Sequence, residues 1–366
     1  MALTPSIAGL TPQIWDDKFF TSYVRANQFS VYMGMSENAL IQVKEDLTKK
    51  NGDSVTYALV NDLVGAGVTG TTALEDAEEA LGSRSFKVSV NMLRNGVVVH
   101  EWDEQKSVID LRNAAKPQLR NWAMNKLRTD IIGALNSVNG VPYITGDGNG
   151  TTGSSSAQKA AWMADNSDRV LFGAAKSNAG SGVWATALGT LDSSADKFTY
   201  TNLSLARRLL KQASPRIRPI MLENGTEWYV AFAPSNAFRD LKVSLATIYQ
   251  NAEIRGKGNP LFMDGDLIWD GIIIREIPEM TVEVDVCATS GDAGHVKICG
   301  AQALACAWAQ RTVSRTQVKD YGARNGVGIS EIRGVAKMSF GKGSSDTADL
   351  IDHGVFTHVV YADPDA

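Results

Sequence analysis

The chain has 366 residues, and its 36 basic and 40 acidic side chains give a formal net charge of −4. This balance excludes a strongly basic nucleic-acid binder, which needs clustered Lys and Arg. The length allows two or three compact units that share a core. Three cysteines, none in a Cys-x-x-Cys pair, indicate a reducing compartment. Met1 to Leu10 lacks the pattern of a secretory signal, and no apolar stretch approaches the ~20 residues of a membrane span.

Residues 1–36 combine prolines with many aromatic side chains. Trp15, Phe19 and Tyr23 recur at helical spacing, which predicts a short amphipathic helix. Two interpretations stay open: the apolar face packs on its own domain, or it belongs to an arm buried on a neighbouring subunit.

Residues 37–100 alternate apolar and polar side chains in two stretches, which predicts two strands. A glycine run, Gly65, Gly67 and Gly70, lies between them and precedes an acidic stretch that includes Glu78 and Glu79. We therefore expect an extended hairpin that has little core of its own and rests on something outside its own fold.

Residues 101–144 predict one long helix. Apolar side chains return every three or four positions, and Ser107 with Asp110 has the spacing of a capping box. From Val108 to Leu135 such a helix would be roughly 40 Å long. Pro117 removes one backbone hydrogen bond, but Lys116 is a poor cap for a second helix, so one kinked helix is favoured over two.

The remainder divides into three parts. Residues 145–197 lose periodicity and are expected to be a surface insertion with one or two short elements. Residues 198–310 alternate helices and strands, with Leu267 to Ile277 as a central buried strand, and predict an α/β unit. Residues 311–366 predict strands that fold back onto the long helix.

No catalytic or cofactor motif emerges. Gly65, Gly67 and Gly70 match dinucleotide-binding spacing, but the segment after them is short and acidic, and the following strand lacks the expected acid. Four Cys and His residues lie near one another in sequence: Cys287, His295, Cys299 and Cys306. We expect them to be buried core residues rather than zinc ligands, because zinc ligands usually occur in closely spaced pairs. No cofactor, metal or catalytic residue is predicted.

The order of these parts resembles the major capsid proteins of tailed bacteriophages, whose shell fold is shared with herpesviruses. Four stretches carry the resemblance: Gly52 to Tyr57, the Gly65–Gly70 run with Glu78 to Leu81, Asn259 to Phe262, and Cys299 to Ala303. The sequences of these stretches are most similar to those of capsid proteins from a subfamily of podoviruses that package their own RNA polymerase.

This resemblance implies an α+β fold with an N-terminal arm (1–36), an extended hairpin loop with flanking strands (37–100) and a peripheral domain with a long spine helix (101–144). An axial α/β domain (198–310) would follow the insertion (145–197), and C-terminal strands (311–366) would return to the peripheral domain. The residues expected to serve assembly are Trp15, Phe19, Tyr23, Gly65, Gly67, Gly70, Glu78, Glu79 and Pro117.

The implied function is the structural subunit of an icosahedral virus capsid, assembled from pentamers and hexamers in the host cytoplasm, with no enzymatic role. Expected partners are further copies of the chain, packaged double-stranded DNA through weak non-specific contacts, a portal, and separate scaffold or decoration proteins; no membrane is expected. No cleavable scaffolding segment is visible before Met1 to Leu10, so a separate scaffold, or none, is expected. Two alternatives stay open: an encapsulin-like compartment shell of the same fold, and a nicotinamide-dependent enzyme using Gly65, Gly67 and Gly70.

Overall fold

The computed structural model describes most of the chain. The described residues are 19–25, 27–45, 52–60, 67–71, 74–75, 83–107, 111–143, 153–222, 225–253, 267–280, 282–341 and 349–364. The helices are α1 (helical over 19–25), α2 (Glu101–Lys106), α3 (Leu111–Leu135), α4 (Ser156–Asp165), α5 (Trp184–Gly189), α6 (Tyr200–Gln212) and α7 (Ser235–Glu253).

Strands outnumber helices and occur along the whole described chain. Those of the first half are β1 (Met33–Gly34), β2 (Ile41–Lys44), β3 (Ser54–Val60), β4 (Ser83–Ser89), β5 (Asn91–His100), β6 (Ser137–Val138), β7 (Val141–Pro142) and β8 (Val170–Phe172). Those of the second half are β9 (Ile220–Met221), β10 (Glu227–Ala233), β11 (Leu267–Trp269), β12 (Ile272–Glu276), β13 (Val282–Glu283), β14 (Asp292–Cys299), β15 (Leu304–Lys319), β16 (Arg324–Lys337), β17 (Ser339–Gly341), β18 (Leu350–Asp352) and β19 (Val355–Ala362).

Two sheets organise the described residues. The first has five strands in the order β1-β2-β15-β16-β5 and is covered on one face by α3. The second has eight strands along the path β11-β12-β10-β14-β19-β8, with β13 beside β14 and β9 beside β10. Helices α6 and α7 pack on the second sheet. The antiparallel pairs β3–β4, β6–β7 and β17–β18 stand apart from both sheets.

The long helix forms as its pattern predicts. Helix α3 runs through Pro117 without interruption and ends at Leu135, so the prediction of one helix is confirmed. Its apolar face is buried at Leu119, Leu127 and Ile131, which lie in one core with β15 and β16. Residues 101–106 are not part of it, because they form the separate helix α2, which ends at an extended Ser107.

Three sequence expectations are wrong. Leu267 to Ile277 is not one central strand, because a turn at Asp270 and Gly271, both with positive φ, divides it into the antiparallel strands β11 and β12 near the sheet edge. Residues 153–197 are not a surface insertion: β8 extends the eight-stranded sheet, and Trp162 and Trp184 are buried beside it.

The third error concerns the C-terminal strands. Strand β16 does pack on α3, as expected. Strand β19 instead pairs with β14 over its whole length and with β8 on its other side, inside the eight-stranded sheet. Every residue of β19 is buried, which is typical of a strand covered on both faces.

Candidate assembly surfaces

The N-terminal helix is not a free arm in its described part. Phe19 and Tyr23 are buried against their own subunit, and the ring of Phe20 lies 5.0 Å from that of Trp308 in an edge-to-face contact. The expectation that Phe19 and Tyr23 serve a neighbouring copy is therefore wrong, because their apolar face is already covered within the chain. Trp15 lies outside the described residues.

A buried polar network holds this helix in place. The Tyr23 hydroxyl donates to Glu331 Oε2 over 2.7 Å, and the Thr312 hydroxyl donates to the same oxygen over 3.0 Å. Arg333 pairs with Glu331 over 2.9 Å and with Asp130 of α3 over 2.7 Å. Burial, reinforced by the Glu331 carboxylate, raises the pKa of Tyr23 far above its ordinary value, so the phenol stays a donor. The network joins α1, β15, β16 and α3.

The base of the β3–β4 hairpin also rests on its own chain. Val55, Tyr57 and Val88 are buried against the start of β15 and against Met338, and the Tyr57 hydroxyl donates to the Cys306 carbonyl over 2.9 Å. The expectation that the hairpin leans on something outside its own fold is wrong for this base.

The hairpin tip holds the remaining glycine and acidic candidates. Gly67 and Gly70 have φ of +66° and +70°, and a Cβ at either position would meet nothing within 4 Å. Glycine adopts such angles more readily than other residues, because it has no Cβ. Gly65, Glu78 and Glu79 lie outside the described residues.

Pro117 stands on the solvent side of α3, between the buried Ala115 and Leu119. Its ring therefore lies on the face opposite the sheet. The structure leaves this proline accessible to another molecule.

The sequence interpretation missed one exposed element. Strands β15 and β16 form a long antiparallel ribbon that turns at Asp320–Gly322, and β5 runs along β16 to the same end. Tyr321 is fully exposed at the turn, and Val318 and Trp102 are exposed beside it. The alternation of Thr312, Ser314, Thr316 and Val318 with larger side chains was the available signal for β15.

A buried histidine lies on β14 of the eight-stranded sheet. His295 Nε2 lies 3.1 Å from Glu283 Oε1, and the His295 ring stacks on Trp184 at 5.7 Å and on Tyr143 at 5.3 Å. Burial raises the pKa of all three cysteine thiols to about 12, so they are poor nucleophiles at neutral pH.

Within the described residues no group of three His, Cys, Asp or Glu side chains is placed to hold a metal ion. None of the described helices is long and apolar enough to cross a bilayer.

Comparison with known proteins identifies the family. The model of the family described as "Phage capsid protein" matches residues 4–362. The chain belongs to the phage capsid protein family. It is 26% identical over 346 residues to the major capsid protein of Pseudomonas phage KPP25, and this match covers 89% of each chain. Among solved structures, it matches the capsid asymmetric unit of cyanophage Pam1 with 34% identity, complete coverage of both chains and a TM-score of 0.77.

A second solved structure shares the fold at lower identity. The capsid of Ralstonia phage GP4 matches with 21% identity, a TM-score of 0.70, and coverage of 93% of this chain and 92% of that one. The resemblance found in the sequence is thereby confirmed, and this capsid protein is a structural subunit of a phage capsid.

The two alternative functions have no support. The glycine run lies between β3 and β4, which pair antiparallel, whereas a dinucleotide site needs a parallel strand–helix–strand unit. The relatives reported above are phage capsid proteins rather than compartment shells or oxidoreductases.

Proposed function

We propose that this capsid protein forms pentamers and hexamers that close an icosahedral shell around double-stranded DNA. The observation that carries the proposal is the full-length match to the cyanophage Pam1 capsid subunit, which is 34% identical. In this proposal α3 and the five-stranded sheet form the peripheral domain, and the eight-stranded sheet with α6 and α7 forms the axial domain.

The exposed elements support a role in assembly. The ribbon of β15 and β16 carries bulky side chains into solvent at its tip, where none of the described residues covers Tyr321. The hairpin tip, with Gly65, Gly67, Gly70, Glu78 and Glu79, and Trp15 and Pro117 are proposed as further contact sites. A shell can be stable although single contacts are modest, because every subunit makes many of them at once.

The charge of the chain favours weak contact with the enclosed DNA. A chain with a net charge of −4 has little non-specific affinity for DNA. Tight non-specific binding requires many protein cations in contact with the DNA phosphates. The DNA would then be contained rather than held. A portal for its entry, separate scaffold or decoration proteins, and assembly in the host cytoplasm complete the proposal.

Electron microscopy of the purified full chain tests this function. We expect pentamers, hexamers or closed shells at high protein concentration, and DNA inside particles taken from infected cells. A protein that stays monomeric at all concentrations would contradict the proposal. Particles that enclose a cargo enzyme and no nucleic acid would contradict the DNA-container role.

A further inference from the structure

The two edges of the five-stranded sheet differ in length. Strand β1 at one edge has two residues, whereas β5 at the other edge has ten. Strand β5 pairs with β16 from Asn91 to His100, and no described strand pairs with its other side over this length. A long open edge offers unpaired backbone groups to another chain, and a very short edge offers few. Edge-to-edge association is therefore a hazard at β5 rather than at β1.

The hydrogen bonds at the two ends of β5 show which of its backbone donors point outward. Just before the strand, the Val90 N–H donates to the Asp53 carbonyl, on the side of β3. Just after it, the Glu101 N–H donates to the Ala323 carbonyl, at the turn that leads into β16. Successive N–H groups of a strand point to opposite edges. The even-numbered residues of β5 therefore direct their N–H groups away from β16.

Two of these outward donors are already occupied by side chains of the same strand. The Met92 N–H donates to Asn91 Oδ1 over 2.8 Å, and the Gly96 N–H donates to Asn95 Oδ1 over 2.8 Å. Each amide oxygen takes the place that a carbonyl of an added strand would need. Short polar side chains compete in this way with regular backbone pairing. The two asparagines therefore cap the open edge at two points, four residues apart.

The rest of this edge is suited to strand pairing. Within the part of the chain that the structure describes, the outward N–H groups of Arg94 and Val98 have no hydrogen-bond partner. The side chains of Val97 and Val98 are 37% and 65% exposed, and β-branched residues favour strands. The exposed charge of Arg94 disfavours pairing. Without the caps, β5 would present a run of free donors from Met92 to Val98 beside an apolar surface, which is the pattern of an aggregation site.

We propose that Asn91 and Asn95 guard the edge of β5 against pairing with the same edge of a second copy. An added strand must displace both side-chain oxygens before its own carbonyls can accept from these donors. At the two positions it exchanges one acceptor for another and gains little free energy. The inference goes beyond the proposed function, because it concerns the free subunit before any contact in a shell is made.

Leucine substitution in the full chain tests the caps, because leucine is similar in size to asparagine and accepts no hydrogen bond. In the dissociated subunit, Asn91→Leu with Asn95→Leu should lower the protein concentration at which irregular aggregates appear by about tenfold, the effect of two weak net hydrogen bonds. Light scattering and sedimentation measure this concentration. Asn325→Leu with Ser330→Leu adds the same two side chains to β16, which is paired on both sides, and should aggregate as the parent does.

A proline separates strand pairing from a general effect of added apolar surface. Arg94→Pro removes one outward N–H and leaves the hydrogen bonds to β16 in place, and edge strands tolerate proline where the N–H faces solvent. Added to the leucine pair, it should restore the solubility of the parent, although it also removes a charge that disfavours pairing. Aggregation that persists with Arg94→Pro would contradict pairing through β5.

Hydrogen exchange examines the caps residue by residue. After correction for intrinsic rates, the Met92 and Gly96 amides of the parent should exchange about tenfold more slowly than the Arg94 and Val98 amides, although all four point outward. In the leucine pair this difference should vanish.

Three results would overturn the inference. The first is equal exchange of the four outward amides in the parent. The second is a leucine pair that aggregates no more readily than the β16 control. The third is the formation of regular shells, rather than irregular aggregates, by the leucine pair at lower concentration, because the caps would then restrain a native contact. Whether the parent forms shells does not enter these comparisons, so the proposed function and this inference can fail separately.

Discussion

The Tyr23 hydroxyl and the Glu331 carboxylate meet at 2.7 Å although 308 positions separate them in sequence. This hydrogen bond ties the N-terminal helix to β16, and Glu331 in turn contacts Arg333. The described part of the first helix therefore belongs to the subunit core, and its buried aromatic side chains, Phe19 and Tyr23, are covered within the subunit.

Replacing Tyr23→Phe removes only the donor and leaves Glu331 buried with one partner fewer. We expect the free energy of unfolding to fall by about 1–3 kcal/mol, the usual cost of a buried group left unsatisfied. Urea unfolding of the dissociated subunit measures it. Tyr321→Phe, at the fully exposed turn, is the control and should change stability by less than about 0.5 kcal/mol. Equal effects of the two changes would contradict the role given to the Tyr23–Glu331 bond.

Deleting residues 1–30 should damage the subunit itself as well as assembly. The deletion removes Phe19, Tyr23 and Phe29, and the Phe29 ring packs 5.2 Å from Phe232 of the eight-stranded sheet. Each buried aromatic side chain contributes about 2–3 kcal/mol, so the truncated chain should be largely insoluble or unfold at a much lower temperature. A point-mutant comparison checks the cause: Phe29→Ala should cost about 3–5 kcal/mol, whereas Val31→Ala, at an exposed position, should cost almost nothing. A truncated subunit with the melting temperature of the parent would contradict this prediction.

Lys337 and Asp352 form a buried ion pair at 2.7 Å, and Lys337 also donates to the Ser137 carbonyl over 2.6 Å. Lys337→Met leaves the Asp352 charge without its cation, and we expect a loss of about 3–5 kcal/mol. The double change Lys337→Met, Asp352→Asn removes both charges and should be less destabilising than the single one. Lys242→Met breaks the more exposed 3.8 Å pair with Glu276 and should cost less than about 1 kcal/mol. A double mutant less stable than Lys337→Met would show that charge burial is not the cause.

Acid should destabilise the folded subunit through its buried histidines. Burial lowers the pKa of His353 and of His358 to about 4. Above pH 6.5 each ring is neutral in both states. Between pH 6.5 and 4 each of these histidines binds a proton in the unfolded chain but not in the folded chain. The free energy of unfolding therefore decreases, as the pH is lowered, by about 1.4 kcal/mol per pH unit for each histidine.

The variant His353→Phe isolates one of these contributions, since its ring would lie where the imidazole now packs edge-to-face on Phe340 at 5.7 Å. We expect the variant to lose about 3 kcal/mol less than the parent between pH 6.5 and 4. Unfolding curves of both proteins across this range provide the measurement. Parallel pH profiles would mean that His353 titrates normally in the folded state.

Pro117→Ala should stabilise α3, because alanine restores a backbone donor inside a continuous helix and the side chain is exposed. We expect a gain of about 1–3 kcal/mol, seen as a higher melting temperature of the subunit. Gln118→Ala, the exposed neighbour, should change it by less than about 0.5 kcal/mol. If Pro117 serves assembly, the stabilised variant should also form fewer shells. A destabilised Pro117→Ala subunit would show that the proline is required by the fold.

Much of the local structure could be predicted from the sequence. The helical spacing of Leu119, Leu127 and Ile131 placed α3 and its buried face, and the alternation around Val55 and Val88 placed the β3–β4 pair. The order of these elements, with the short motifs between them, was enough to recognise the family. These signals are contained within a few neighbouring residues, because the periods of a helix and a strand repeat over short distances.

Which elements pack together was decided by the tertiary structure. An amphipathic pattern shows that Phe19 and Tyr23 have a covered face, but only the folded chain places Glu331 and Trp308 against it. Likewise, β19 has the same alternation whichever sheet receives it, and Trp162 and Trp184 are isolated in sequence yet share one cluster. The choice of partner depends on the summed burial and hydrogen bonding of segments hundreds of residues apart, which no local window of sequence contains.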